Sequence, residues 1–436
     1  MIWWIIAIIY AALGFNLVRS RSRKLQRVPW LTFGWALLTS ELAPQLLALL
    51  LLAVVAGWLG SANSAALLLL ALAALPLLWA IYHSRQVPEL VEQSLRQGLG
   101  ANYQAQLSTA DNQPLSPLPS WQRVVNPVGF AEPGVEVLRN IAYAPHGTRT
   151  QLDIYRPTQR PPSGCPVLLQ IHGGAWMFGS KNEQGLPLMN YLASQGWICF
   201  AINYRLAPSQ PFPTQIEDCK KALQWIRREG SQYGANPEFV AVSGGSAGGH
   251  LAALMAMTGD SELFSDSSGD TSIQAMVPFY GLYDLVPRGE QPNDELVIGL
   301  LNQRLFHQSP EQNPQLWESA CPINYLQQPL PPAMVIHGQI DSLVPVNTAV
   351  KFVTQLSAAS SKPVVYLELP ATEHSFDVPN SWRSQVVVRG VHRFLEWARS
   401  RHYGELLNDD SATDKPVTAD RVRDNTASDN PASESA

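Results

Sequence analysis

The stretch Val240-Ala241-Val242-Ser243-Gly244-Gly245-Ser246-Ala247-Gly248-Gly249-His250 places a serine between glycines two residues before and two residues after it. Apolar residues precede it and a helical run follows, so Ser246 falls on a tight strand-to-helix turn. Such a turn has strained backbone angles, and bulky neighbours would clash; glycines at those two positions remove the clash. The turn lifts the hydroxyl above a sheet edge at a helix N-terminus, where developing negative charge is favoured. A second glycine pair lies in Ile171-His172-Gly173-Gly174-Ala175-Trp176, directly after an apolar run. Glycines there let backbone N–H groups converge on one point, which is how an oxyanion is held without charged side chains. The N–H groups of Gly173, Gly174 and Ala247 are the expected donors.

A serine hydroxyl is a weak nucleophile until a base takes its proton. Of nine histidines, the best placed is His374, in Ala371-Thr372-Glu373-His374-Ser375-Phe376, just past an apolar run ending at Leu369. An acid must orient that imidazole, and Asp341 follows the preceding apolar run, in Ile336-His337-Gly338-Gln339-Ile340-Asp341. The order Ser246, Asp341, His374 is the one expected when all three groups sit on loops at one edge of a single sheet. Asp284 is the second choice for the acid. Asp218 and Arg205 are expected as a structural pair, and His172 as a ring that holds its own loop.

The elements needed to position these groups are legible in the middle of the chain. Short apolar runs at 150–155, 166–171, 198–203, 238–242, 274–280, 333–337 and 363–369 alternate with helical patterns at 183–195, 214–229, 246–257, 345–360 and 383–402. Continuous apolar runs mark strands covered on both faces, and their alternation with helices predicts a doubly wound, mostly parallel α/β sheet. The segment 285–330 is expected to be a surface excursion or lid.

Composition places the rest. Charged residues are only 15% of the 436, and the net charge is −5. The tail 404–436 carries eight acids and three bases, so it accounts for the whole imbalance. Without excess positive charge, a nucleic-acid partner is excluded. The four cysteines are scattered without metal spacing and are expected as small buried hydrophobes.

The missing charges are missing from the front. Met1–Val18 has none, and neither has Leu42–Ser84. Transmembrane spans are expected at 2–18, 42–60 and 65–82, with tryptophans near their ends. The basic cluster Arg19, Arg21, Arg23, Lys24 and Arg27 should stay on the cytoplasmic side of an inner or plasma membrane. With three spans, the catalytic domain is then cytoplasmic as well. The expected organisation is a membrane region over 1–84 and a helical, Pro-rich linker or cap over 85–133. A catalytic α/β domain follows over 134–403, then a disordered acidic tail over 404–436.

The motifs together resemble the α/β-hydrolases, close to the hormone-sensitive-lipase-like esterases and to bacterial feruloyl-esterase-like and kynurenine-formamidase-like members. The likeness rests on His172-Gly173-Gly174-Ala175-Trp176, Asn203-Tyr204-Arg205-Leu206-Ala207-Pro208, Gly244-Gly245-Ser246-Ala247-Gly248-Gly249, Asp341 after His337-Gly338, and Glu373-His374. It covers about 135–402. It implies a Ser246, Asp341, His374 triad acting on a small-molecule or lipid ester with no cofactor or metal; the apolar spans at the front, outside the likeness, make the bilayer the other expected partner. The same triad serves amidases, arylformamidases and acyltransferases, and a non-catalytic membrane scaffold could keep the same fold.

Overall fold

The computed structural model describes residues 2–19, 29–60, 62–107, 121–259, 263–264, 269–288 and 295–413. Most of the basic cluster near Arg19, the prolines at 114, 117 and 119, and the tail beyond 413 lie outside the described residues.

Eight strands form one sheet: β1 (Val135–Ala142), β2 (Gln151–Pro157), β3 (Cys165–Ile171), β4 (Ile198–Ile202), β5 (Ala235–Gly245), β6 (Ala275–Phe279), β7 (Ala333–Gly338) and β8 (Val364–Leu369). Their order is β1-β2-β4-β3-β5-β6-β7-β8. The pairs β1/β2 and β2/β4 are antiparallel and the rest are parallel. The predicted α/β sheet is therefore present. Within β3, Leu169 and Ile171 face one core and Leu168 the other, so both faces are covered and the strand reads as continuously apolar.

The helices are α1 (Ile2–Arg19), α2 (Pro29–Glu41), α3 (Ala43–Leu59), α4 (Ser64–Leu72), α5 (Ala74–Leu99), α6 (Trp121–Val125), α7 (Leu186–Ser194), α8 (Thr214–Glu229), α9 (Ala247–Met257), α10 (Glu295–Leu300), α11 (Pro314–Ser319), α12 (Val346–Ala359) and α13 (Trp382–Thr413). Residues of α8, α9 and α12 cover one face of the sheet, and those of α5, α7 and α13 the other. In α8 an acid lies in the first turn and Arg227 and Arg228 in the last, which suits the helix dipole.

Four differences from expectation have physical reasons. Strand β1 was not foreseen because it is an edge strand carrying Glu136, Arg139 and Asn140, with a register shift between Leu138 and Ile141. Residues 85–99, expected as the start of a helical linker or cap, form no separate element; they complete α5, whose Val87, Val91 and Leu95 are fully buried. Two glycines permit that docking: a Cβ on Gly98 would lie 2.6 Å from Val365, and one on Gly390 would lie 2.4 Å from Val91. The tail does not lose order at 404, since α13 continues to Thr413. Extending an existing helix gains a hydrogen bond per residue without a new nucleus, and no proline intervenes before Pro416.

The fourth difference concerns the front. The expected span 65–82 lies in a helical stretch from Ser64 to Leu99 that is long and apolar enough to cross a bilayer. The expected span 42–60 is α3, which is bent by 83° against α2 at their junction. The expected span 2–18 is α1, a shorter apolar helix. These helices form a third core with Leu17, Leu50, Leu70 and Leu77, and Ile340 of the α/β domain inserts into it.

Candidate active site

Three parallel strands deliver the three predicted residues to one sheet edge. Strand β5 ends at Gly245, and Ser246 follows with φ 58° and ψ −121° as the N-cap of α9. The strained turn read from the sequence is therefore present. Its glycines are required by space: a Cβ on Gly244 would lie 2.5 Å from the Gly248 backbone, and one on Gly248 2.2 Å from the Ile171 carbonyl. Strands β7 and β8 end level, with Gly338 opposite Leu369, so the loops bearing Asp341 and His374 emerge side by side.

His374 Nδ1 lies 2.7 Å from Asp341 Oδ2. The other carboxylate oxygen of Asp341 accepts the backbone N–H groups of Leu343 at 2.9 Å and Val344 at 2.7 Å. Burial alone would raise the Asp341 pKa, but the His374 charge and hydrogen bonds from His337 and His374 outweigh it and hold the group below the usual carboxylate range. A carboxylate facing Nδ1 fixes the tautomer with the proton there and leaves Nε2 as the basic nitrogen.

The link to the serine is made through a neighbouring ring. Ser246 N–H donates to the Phe279 carbonyl at 3.0 Å. The next residue, Tyr280, packs its ring 4.4 Å from the His374 ring and touches the backbone of Gly245. Tyr280 is in turn anchored by its hydroxyl on Asp377. Among the described residues no hydrogen bond joins Ser246 Oγ to His374, so the Asp–His limb of the predicted constellation is formed and the Ser–His limb is open in this conformation. Catalytic hydrogen bonds commonly tighten only once substrate is bound.

The oxyanion loop requires a correction. The Gly173 N–H is not available, because it donates to Gln184 Oε1 at 2.7 Å. The chain then passes through three consecutive positive φ angles, 113° at Gly174, 49° at Ala175 and 62° at Trp176. No protein acceptor among the described residues takes the N–H groups of Gly174, Ala175 or Ala247. Of the expected donors Gly174 and Ala247 remain, and Ala175, two residues past Gly173, joins them as a candidate. Sequence reasoning missed this because Gln184, eleven residues away, carries no motif.

Other expected roles resolve clearly. His172 Nδ1 lies 2.7 Å from the Gly173 carbonyl and its ring stacks on Tyr204 at 4.3 Å. His250 accepts from Trp176 Nε1 at 3.2 Å and faces the Ala320 carbonyl at 2.7 Å. Burial pushes both rings down to about 4, so they are neutral at pH 7. Arg205 and Asp218 pair at 2.6 Å. Asp284 binds Arg288 and Lys351, apart from His374. All four cysteines are buried and free. Among the described residues no cluster of His, Cys, Asp and Glu could hold a metal. The larger of the two cavities described, about 580 Å³, lies at the opposite edge of the sheet, beside Leu330, Pro363 and His402.

Sequence reasoning assigned no role to three residues near the site. Glu373 is buried beside the triad, and its Oε1 accepts the N–H groups of Ser342 at 2.7 Å and His374 at 2.8 Å, tying the acid loop to the histidine loop. Burial and then the Asp341 charge push its carboxyl up to about 8. From the front of the chain, Phe33 on α2 lies edge-on to the His374 ring at 6.0 Å. Glu41, at the end of α2, is buried against Arg383 and accepts from Ser381 Oγ at 2.6 Å.

Comparisons with known proteins find likeness to esterases. Residues 152–356 match the BD-FAE family model, a stretch that holds Ser246 and Asp341 but ends before His374. A probable carboxylic ester hydrolase of Mycobacterium tuberculosis, LipM, is 43% identical over 269 residues, which are 61% of this chain and 62% of that protein. The esterase LipQ of the same organism is 37% identical over 268 residues, 61% of this chain and 63% of that protein. The chain therefore matches rather less than two thirds of the length of these relatives. Among solved structures, a truncated carbohydrate esterase from gut microbiota superposes with a TM-score of 0.54 at 23% identity, over 62% of this chain and 99% of that one. An inhibited esterase B from Lactobacillus rhamnosis gives 0.53 at 23%, over 68% and 97%. At such identities the likeness is one of fold.

Proposed function

We propose that this chain, an α/β-hydrolase of the BD-FAE kind, is a membrane-tethered serine hydrolase of carboxylic esters. In this reading Ser246 Oγ attacks the ester carbonyl while its proton passes to His374 Nε2, and Asp341 stabilises the imidazolium. The new Oγ–C bond leaves a tetrahedral oxyanion facing the N–H groups of Gly174, Ala175 and Ala247. Collapse breaks the bond to the alkoxy oxygen, which takes the proton from His374 and departs as the alcohol. Water then gives a proton to His374 and attacks the acyl-serine. The second collapse returns that proton to Ser246 and releases the carboxylic acid.

The observation that carries the reading is the Asp341–His374 bond beside a serine held at positive φ. Tethering is supported by the outer surface of the front helices: Ile8, Leu52, Trp58, Leu68 and Leu75 are exposed on α1, α3, α4 and α5. Only 28% of the apolar window in the 64–99 stretch is buried, whereas the core helix of a soluble protein is mostly buried. The five basic residues between Arg19 and Arg27 favour a cytoplasmic catalytic domain at an inner or plasma membrane.

The test uses the full chain in detergent, a p-nitrophenyl ester and a fluorophosphonate probe. Ser246→Ala is expected to lose both turnover, by about 10⁴-fold or more, and labelling. Turnover that survives the substitution overturns the assignment.

A further inference from the structure

The front helices do more than sit beside the α/β domain; they roof its reactive edge. Helix α2 spans the distance between two features. At one end Phe33 lies against the His374 ring. At the other end Ser40 and Glu41 line a cavity of about 290 Å³, closed on its other sides by Pro44, Leu47, Leu51 and Ile81. The polar side of that cavity is Glu41 with Arg383 and Ser381, a pairing made between α2 and the start of α13. Arg383 reaches back to the Ala371 carbonyl in the histidine loop at 3.4 Å. The acid loop is gripped as well, since Ile340, next to Asp341, is buried in the helical core.

The cavity opens outward among apolar side chains. Leu51 at its mouth is 55% exposed, on the same surface as Leu52 and Val55. Arg85, exposed at the rim, is the first charged residue after the charge-free stretch Leu42–Ser84, which sets the rim at the depth of lipid headgroups. Along α2, Glu41 and Phe33 are eight residues apart, roughly 12 Å at the rise of a helix. A long acyl chain can span that distance, from the cavity to the ring that packs on His374; an acetyl group cannot.

We propose that the bend between α2 and α3 is a lateral entrance through which the acyl chain of a bilayer lipid ester reaches Ser246, making long-chain lipid esters the substrate class. This inference rests on the ester-hydrolase reading above. The 83° bend then has a purpose: it turns α2 out of a membrane-crossing path and lays it along the route to His374.

The experiment uses the full chain in phosphatidylcholine vesicles, with p-nitrophenyl palmitate dissolved in the bilayer and p-nitrophenyl acetate in the water. The wild type should favour the palmitate in kcat/KM by at least tenfold. Ala48→Trp and Leu51→Trp place bulk at the exposed mouth, where folding tolerates it, and each should lower the palmitate-to-acetate ratio about tenfold. Tryptophan fluorescence and thermal unfolding identify a variant that has misfolded, and either substitution alone suffices. A ratio that both folded variants leave unchanged overturns the entrance, as does a wild type that prefers acetate. Loss of all Ser246-dependent hydrolysis in the wild type instead overturns the ester-hydrolase reading, and the entrance falls with it.

Discussion

The two halves of this molecule use the same apolar residues in opposite ways. In the α/β domain Val, Leu and Ile point inward from both faces of the sheet, and few large apolar side chains are exposed beyond Phe178 and Val350. In the helices before residue 83 the large apolar side chains are exposed far more often than buried, from Ile2 to Tyr82. The first pattern suits water, and the second suits the hydrocarbon surroundings proposed above. The halves still share one buried junction, Glu41 with Arg383 and Ser381, and one common helix, α5. The sheet edge and the front helices are therefore packed as one body, which is what the proposed entrance requires.

That comparison can be broken first at the chemistry. Asp341→Asn should lower kcat by about 10³–10⁴-fold with little effect on folding, because the wrong imidazole tautomer then faces Ser246. A loss of under tenfold, measured on the soluble acetate ester, would mean the α/β half does not work as a triad enzyme.

The junction comes next. Removing one member of a fully buried ion pair strands the other, at a cost of about 3–5 kcal/mol. Glu41→Ala should therefore lower the unfolding free energy of the full chain by that amount, and Glu41→Met with Arg383→Met together should restore part of it. Equal loss in the single and double variants would show that the two halves are not coupled through this pair.

The smallest effect sharpens the electrostatics. Glu373 has a folded pKa raised to about 8 against an ordinary 4.5. The folded state thus holds a proton that the unfolded state has lost, and the stability this group contributes, complete below 4.5, drains away as pH rises to about 8. Glu373→Gln keeps the acceptor for Ser342 and His374 but cannot ionise. Its Tm should gain on the wild type by a few degrees between pH 5 and pH 9, and a gap that does not change with pH would refute the shift.

Much of this was legible in the sequence, for identifiable reasons. Strands β3, β4, β6 and β7 declared themselves because strands covered on both faces are almost wholly apolar, β2, β5 and β8 by shorter apolar runs, and Ser246 because its turn admits only glycine at positions 244 and 248. Asp341 and His374 followed from strand order. What stayed hidden depended on partners distant in the chain. Gln184 takes the Gly173 N–H, Phe33 meets His374 across more than three hundred residues, and β1 is an edge strand whose charges mask its pairing. Within the expected helical linker or cap over 85–133, the docking of residues 85–99 stayed hidden for the same reason: their buried face is complementary to β8 and α13, and nothing local records that.

Helix α5 has 26 residues, about 39 Å of rise, and begins among the front helices and ends against β8. In the proposed tethered state this helix would set the height of the reactive edge over the lipid surface, so a change in its tilt would turn the α/β domain with it, and the thickness of the bilayer would become a dial on how the proposed mouth meets its lipids.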